Sequence, residues 1–123
     1  MSLTSVFRVE IEGSTIVMTP LQDPDELSFD ALLEDDCQNI FDLLGSGEAK
    51  NVLIDCHNID RCCSSAVAFF IKLWKRTQAC DGRLVYCSVS PHLREVFEIV
   101  RLDKVWPMFE SRAEAIAELQ ESV

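Results

Sequence analysis

Alternating apolar and polar residues near the start of the chain predict two short strands. In residues 6–11, Phe7, Val9 and Ile11 alternate with more polar neighbours, the period expected of a half-buried strand. A Glu-Gly-Ser sequence at 12–14 then provides turn chemistry before a second apolar run at 15–18. We therefore expect these two strands to form a hairpin.

The next apolar positions follow helical spacing. They form one stripe, made up of Phe29, Leu32, Leu33, Cys37, Ile40, Phe41 and Leu44. Such a stripe predicts a helix with one buried face. Gly45 and Gly47 are expected to end it.

The rest of the chain alternates strands with helices. Apolar runs at 51–55 and 83–89 predict strands, and residues 66–79, which lack Gly and Pro, predict a helix. Ser90 followed by Pro91 is a typical helix start. We expect a short strand at 104–106, and a last helix opened by the capping box of Ser111 and Glu114.

This order of elements predicts an α/β fold. After the initial hairpin, strands and helices alternate strictly, which requires a mostly parallel sheet with right-handed crossovers. We expect four to five strands, with an antiparallel strand at the N-terminal edge, and about four helices. A length of 123 residues favours one domain spanning 1–123, without a metal or disulfide needed for folding.

Composition narrows the class of protein. The chain is 48% hydrophobic and 26% charged, as in ordinary globular proteins, and it has neither a signal-peptide pattern nor a membrane-spanning run. The cytoplasm is therefore the expected location. We interpret residues 1–3 as a possible remnant of an expression vector.

Charge is distributed unevenly. The net charge is −10, and residues 1–49 hold eleven acids against one base, Arg8. Such a surface repels nucleic acids and anionic membranes, so we expect neither as a partner. It indicates either a basic patch on another protein or a solvated acidic helix face.

The six cysteines fit no disulfide framework or zinc motif. Without an export signal, Cys37, Cys56, Cys80 and Cys87 are best interpreted as small apolar core residues. Cys56, His57, Cys62 and Cys63 form one near cluster, but two adjacent cysteines rarely ligate one tetrahedral ion. No metal or other cofactor is expected.

The loop between the predicted strand 51–55 and helix 66–79 is the main candidate site. It lies at the carboxyl end of a strand, where open α/β sheets usually bind ligands. Its candidate partner-binding residues are Asp55, His57, Asn58, Asp60, Arg61, Cys62, Cys63, Ser64 and Ser65. His57, Asp60 and Ser64 do not form a hydrolase motif, because no Gly-x-Ser-x-Gly elbow is present, and we expect no enzymatic activity.

An ordered set of motifs resembles the STAS domain of bacterial anti-sigma factor antagonists. In that family a strand leads to an Asp-Ser-Ser-Gly-type motif that opens a helix, and later motifs are a glycine turn, Ser-Pro and Gly-Leu. Their counterparts here are Cys63-Ser64-Ser65-Ala66, Asp81-Gly82, Ser90-Pro91 and Arg101-Leu102. The resemblance is strongest over 51–119.

The resemblance implies a fold and a function. The fold is a superhelix of four βα turns with the first strand antiparallel at the edge. The function is partner switching: the unphosphorylated domain, a monomer or weak dimer, binds an anti-sigma factor that is also a serine kinase. Phosphorylation of the first serine, which corresponds to Ser64, ends binding, and Ser65 is the less favoured phosphorylation site.

Three departures from the family motif leave alternatives open. Cys63 replaces an acid, Ala66 adds a methyl group where a kinase would approach, and Arg101 replaces a glycine. One alternative is a phosphorylation-independent STAS subunit of a transporter or signalling assembly. Another is a thiol sensor using Cys62 and Cys63, and Ser64 or Ser65 is on the simplest interpretation only a helix N-cap.

Overall fold

The computed structural model describes residues 2–3, 7–20, 42, 44–47, 49–60 and 64–121, with the side chains of Ser2, Leu3, Phe7, Ser64, Ser65 and Glu121 outside that description. Six strands and three complete helices lie within these ranges. The strands are β1 (Ser2–Leu3), β2 (Phe7–Glu12), β3 (Thr15–Pro20), β4 (Asn51–Asp55), β5 (Leu84–Cys87) and β6 (Met108–Phe109). The helices are α1 (Ser64–Ala79), α2 (Pro91–Ile99) and α3 (Arg112–Glu121).

The strands form one sheet in the order β1-β2-β3-β4-β5-β6. β1 and β2 pair antiparallel, as do β2 and β3, whereas β3 to β6 pair in parallel. The predicted α/β architecture with an antiparallel N-terminal edge is thereby confirmed, with six strands where four to five were expected. Residues 2–3, which we had set aside as a possible remnant, form the outermost strand.

Alternation along the strands gives the sheet two buried faces. One face packs against α1 and α2, and its buried strand residues are Val9, Ile16, Met18, Val52, Ile54, Leu84 and Tyr86. The other face packs against Ala115 and Leu119 of α3, and its strand residues are Val17, Leu53, Val85 and Cys87. β4 is buried along its whole length, as expected of a central parallel strand.

The two ends of α1 lie at opposite ends of the parallel strands. We call the side of the sheet where these strands begin its amino edge, and the side where they end its carboxyl edge. Gly82, just after α1, lies against Lys50, just before β4: a Cβ on Gly82 would overlap the Lys50 carbonyl oxygen. The end of α1 therefore reaches the amino edge, where β4 begins. Its start lies at the carboxyl edge, where β4 ends.

The prediction of a short strand at 104–106 is wrong, because those residues form a turn and a bend. The strand β6 lies two residues beyond Trp106, at Met108–Phe109. Trp106 is instead buried in the core. Of the helix predicted from Phe29 to Leu44, residues 29–41 and 43 lie outside the described residues. Residues 42 and 44–46 are helical, so the prediction that Gly45 ends the helix is wrong, and Gly47 follows with φ +82°.

Candidate functional site

The loop after β4 is held to the sheet at one end. The Cys56 amide donates to the Cys87 carbonyl at 3.0 Å, and the Ile59 amide donates to the Cys56 carbonyl at 3.1 Å. Cys56 and Ile59 are buried, whereas His57, Asn58 and Asp60 are exposed. Two apolar side chains thus fix the loop and leave three polar side chains facing solvent.

Asp55 organises the first turn of this loop. Its Oδ1 accepts the His57 backbone N–H at 3.2 Å and lies 2.8 Å from His57 Nδ1. The Asp55 side chain is 8% exposed and that of His57 is 55% exposed. The Asp55 carboxylate is largely buried, so its contact with His57 serves mainly to position that exposed side chain.

Cys87 lies next to Asp55 in the β4–β5 register. Burial raises the pKa of the Cys87 thiol to about 12, and the negative charge of Asp55 adds to the effect. The thiol therefore stays protonated and unreactive at neutral pH. Cys56 and Cys87 are buried, as predicted, whereas Cys80 is only half-buried.

The start of α1 lies where the sequence predicted the site. The helix begins at Ser64, and its first turn has no acidic residue. The N–H groups of a first helical turn lack intrahelical partners and favour negative charge. Arg61, Cys62 and Cys63 lie outside the described residues, as do the side chains of both serines.

Ala66 corrects one expectation from the motif. We expected its methyl group to stand where a kinase would approach. Ala66 is instead 0% exposed and belongs to the core beneath α1. The methyl group fills space inside the protein, so it does not obstruct the surface of the loop.

No sequence pattern predicts the backbone conformation of Ser88, which follows Cys87 at the same edge. Its φ is +57°, in the left-handed region that few non-glycine residues adopt. Its amide donates to the Phe109 carbonyl at 3.1 Å and its hydroxyl to the Glu110 carbonyl at 3.5 Å. Only an Asn, Asp or Gly here would have signalled this conformation.

Within the described ranges, no three His, Cys, Asp or Glu side chains are grouped to hold a metal ion. No helix among the described residues is both long and apolar enough to cross a membrane. The arrangement at the carboxyl edge offers exposed polar side chains and a helix N-terminus. It is suited to contact with a protein.

Comparison with known proteins places this arrangement in a family. The family model described as the STAS domain matches residues 10–115. The chain therefore belongs to the STAS domain family.

Individual relatives agree with this assignment. BtrV of Bordetella bronchiseptica, a candidate anti-sigma factor antagonist, is 32% identical over 68 residues, which cover 55% of this chain and 59% of BtrV. The chain thus matches less than two thirds of that relative's length. An anti-sigma factor antagonist (STAS) domain protein from Planctomyces limnophilus has 25% identity and a TM-score of 0.79, over 93% of this chain and 97% of that one.

A third relative is similar in fold alone. It is the Bacillus cell fate determinant SpoIIAA in its phosphorylated form, with 22% identity and a TM-score of 0.73. The match covers 91% of this chain and 97% of that one.

Proposed function

We propose that this protein is a non-enzymatic binding module, an anti-sigma factor antagonist that docks onto an anti-sigma factor with serine kinase activity. The observation that carries the proposal is the start of α1 at Ser64, at the sheet edge where His57, Asn58 and Asp60 are exposed. Family membership and the names of its relatives support the class of partner.

Phosphate on Ser64 would act differently in the free protein and in the complex. It would add about −1.5 to −2 charge beside the N–H groups at the start of α1, where the helix dipole stabilises an anion. In an interface, the same charge must lose water or meet the partner's charges. The modification therefore weakens docking without unfolding the protein.

Docking at this edge predicts a difference between two matched substitutions. Calorimetric titration with the anti-sigma kinase encoded nearest to this gene should show a Kd at least about tenfold weaker for Ser64→Glu, a loss of about 1.4 kcal/mol. Ser64→Ala should bind like the wild type, and Ser65→Glu tests the neighbouring serine. Equal affinities for wild type and Ser64→Glu would exclude the switch.

One sequence feature favours a second candidate, a STAS subunit that binds constitutively. Cys63 replaces the acid that precedes the first serine in the family motif, which removes a carboxylate able to orient the Ser64 hydroxyl. Incubation with the same kinase and ATP, followed by intact mass measurement, separates the candidates. A species heavier by one phosphoryl group, lost in Ser64→Ala, would contradict the constitutive subunit.

A further inference from the structure

A cleft lies at the amino edge of the sheet, opposite the start of α1. Its volume is about 180 Å³. It is lined by Trp74, Gln78, Gly82, Arg83, Leu84, Val105 and Pro107. A cavity of roughly 150 Å³ is large enough for benzene, so this cleft can receive one branched or aromatic side chain.

The cleft is open because β6 pairs with only half of β5. Tyr86 and Cys87 of β5 pair with Met108 and Phe109 of β6. The Pro107 carbonyl accepts the Tyr86 N–H. Pro107 has no N–H with which to extend the ladder towards Leu84. Among the described residues no strand pairs with Leu84 on the side of β5 that faces away from β4. A strand that is unpaired on one side can accept extended peptide backbone.

Trp74 and Val105 form an apolar part of the cleft, beside the polar Gln78 and Arg83. Val105 is 42% exposed. Trp74 is half-buried and packs edge-on against the buried Trp106, with ring centroids 6.4 Å apart. An apolar side chain entering between Trp74 and Val105 would bury both further.

The cleft is lined by one cation, Arg83, and the chain segments around its lining are basic in a protein whose net charge is −10. The segments that supply its lining, 74–84 and 101–107, contain five cations and two acids. These are Lys75, Arg76, Arg83, Arg101 and Lys104, with Asp81 and Asp103. Arg83 contacts Glu118 at 3.8 Å and keeps 36% of its side chain exposed, so it can also reach a ligand.

We propose that this cleft binds an extended, acidic segment of a partner protein. The segment places one apolar side chain between Trp74 and Val105 and its carboxylates near Arg83 and Lys104. This interaction goes beyond the proposed function, because it uses the sheet edge opposite Ser64. Both edges can be occupied at once, which would make the domain a connector between two proteins.

A different protein fits this cleft better than a second copy of the chain. Two copies each carry a charge of −10, so their association works against long-range repulsion. A short acidic segment of another protein experiences the local positive charge and little of that repulsion.

The test uses a labelled synthetic peptide in which glutamate alternates with valine and threonine. Fluorescence anisotropy should show binding that weakens at least about tenfold in Arg83→Glu and in Val105→Asp, because charge and apolar contact are each lost. Lys104→Glu gives a second charge reversal on an exposed side chain. Arg94→Glu, on α2 near the carboxyl edge, should bind within about twofold of wild type.

Amide chemical shifts locate the peptide, and changes should centre on residues 78–84 and 102–106. Equal binding of a peptide with lysine in place of glutamate would overturn the proposal, as would shift changes centred on residues 55–60. Sedimentation of the protein alone measures whether it self-associates. Self-association that Val105→Asp abolishes would identify a second copy as the occupant and overturn the proposal.

Discussion

Arg101 occupies a backbone position that suits glycine. Its φ is +63°, and α2 ends there in a Schellman motif: the Arg101 amide donates to the Glu98 carbonyl at 3.0 Å and the Leu102 amide to the Phe97 carbonyl at 2.8 Å. A side chain in this left-handed conformation costs about 1–2 kcal/mol. The glycine that the family motif has at this position is thus explained by the backbone.

Arg101→Gly should therefore stabilise the protein. We expect the free energy of unfolding in urea to rise by about 1 kcal/mol, because strain is relieved while glycine adds some entropy to the unfolded chain. Arg101→Ala is the matched control, since it removes the same exposed side chain but keeps a Cβ. A gain of equal size in both variants would show that the guanidinium, and not the backbone, was responsible.

Cys87 gives the protein a pH dependence on the alkaline side. A thiol whose pKa rises from 9.0 to about 12 on folding binds its proton more tightly in the folded state. Its stabilising contribution is complete below about pH 9 and is lost as the pH rises towards 12.

Between pH 9 and 11, wild type should lose up to about 1.4 kcal/mol of unfolding free energy per pH unit more than Cys87→Ala does. The comparison uses the slope of unfolding free energy against pH, because Cys87→Ala also leaves a cavity that lowers the free energy itself. Cys80→Ala retains Cys87 and should keep the wild-type slope. Parallel slopes in wild type and Cys87→Ala would contradict the account.

Among the elements, α2 shows how local chemistry positions a helix. Ser90 has φ −68° and ψ 158°, and its hydroxyl accepts the Leu93 N–H at 3.1 Å ahead of Pro91. Leu93 and Phe97 are then buried against the sheet. The N-cap thus fixes where the apolar face of α2 begins.

Ser90→Ala should lower the free energy of unfolding by about 1 kcal/mol, because the Leu93 N–H loses its acceptor. Ser90→Asp restores an acceptor and should recover most of that loss. Urea unfolding of the three proteins checks this. A Ser90→Asp variant as unstable as Ser90→Ala would show that the hydroxyl has another role.

The sequence predicted the elements well where helix caps or turn residues within a short segment determine the structure. Ser90-Pro91, Ser111 with Glu114, and the hairpin turn at Gly13 all lie where expected, and Glu114 donates its amide to Ser111 Oγ at 3.2 Å. Errors arose where tertiary contacts decide. The short run Lys104-Val105-Trp106 resembles a strand, but Trp106 fills the core among Phe70, Tyr86 and Phe97.

The candidate site was only partly predictable for the same reason. The position of the loop and the start of α1 follow from the order of elements. The Asp55–His57 contact and the raised pKa of Cys87 depend on strands β4 and β5 lying side by side. No pattern within a single segment contains that information.

At the scale of the whole molecule, two edges of one sheet serve different purposes in this account. The carboxyl edge presents the start of α1 and the polar loop, and the amino edge presents the cleft beside Leu84. The rigid sheet separates them. Docking at one edge should leave the other accessible.

Hydrogen exchange of the complex with the anti-sigma kinase tests the central claim most directly. The account predicts that amides of residues 56–60 and 64–70 become more protected on binding, while those of 82–85 and 104–106 are unchanged. The same protection should be absent when the Ser64→Glu variant is mixed with the kinase. Protection confined to the amino edge or to α3, with residues 56–70 unchanged, would contradict it.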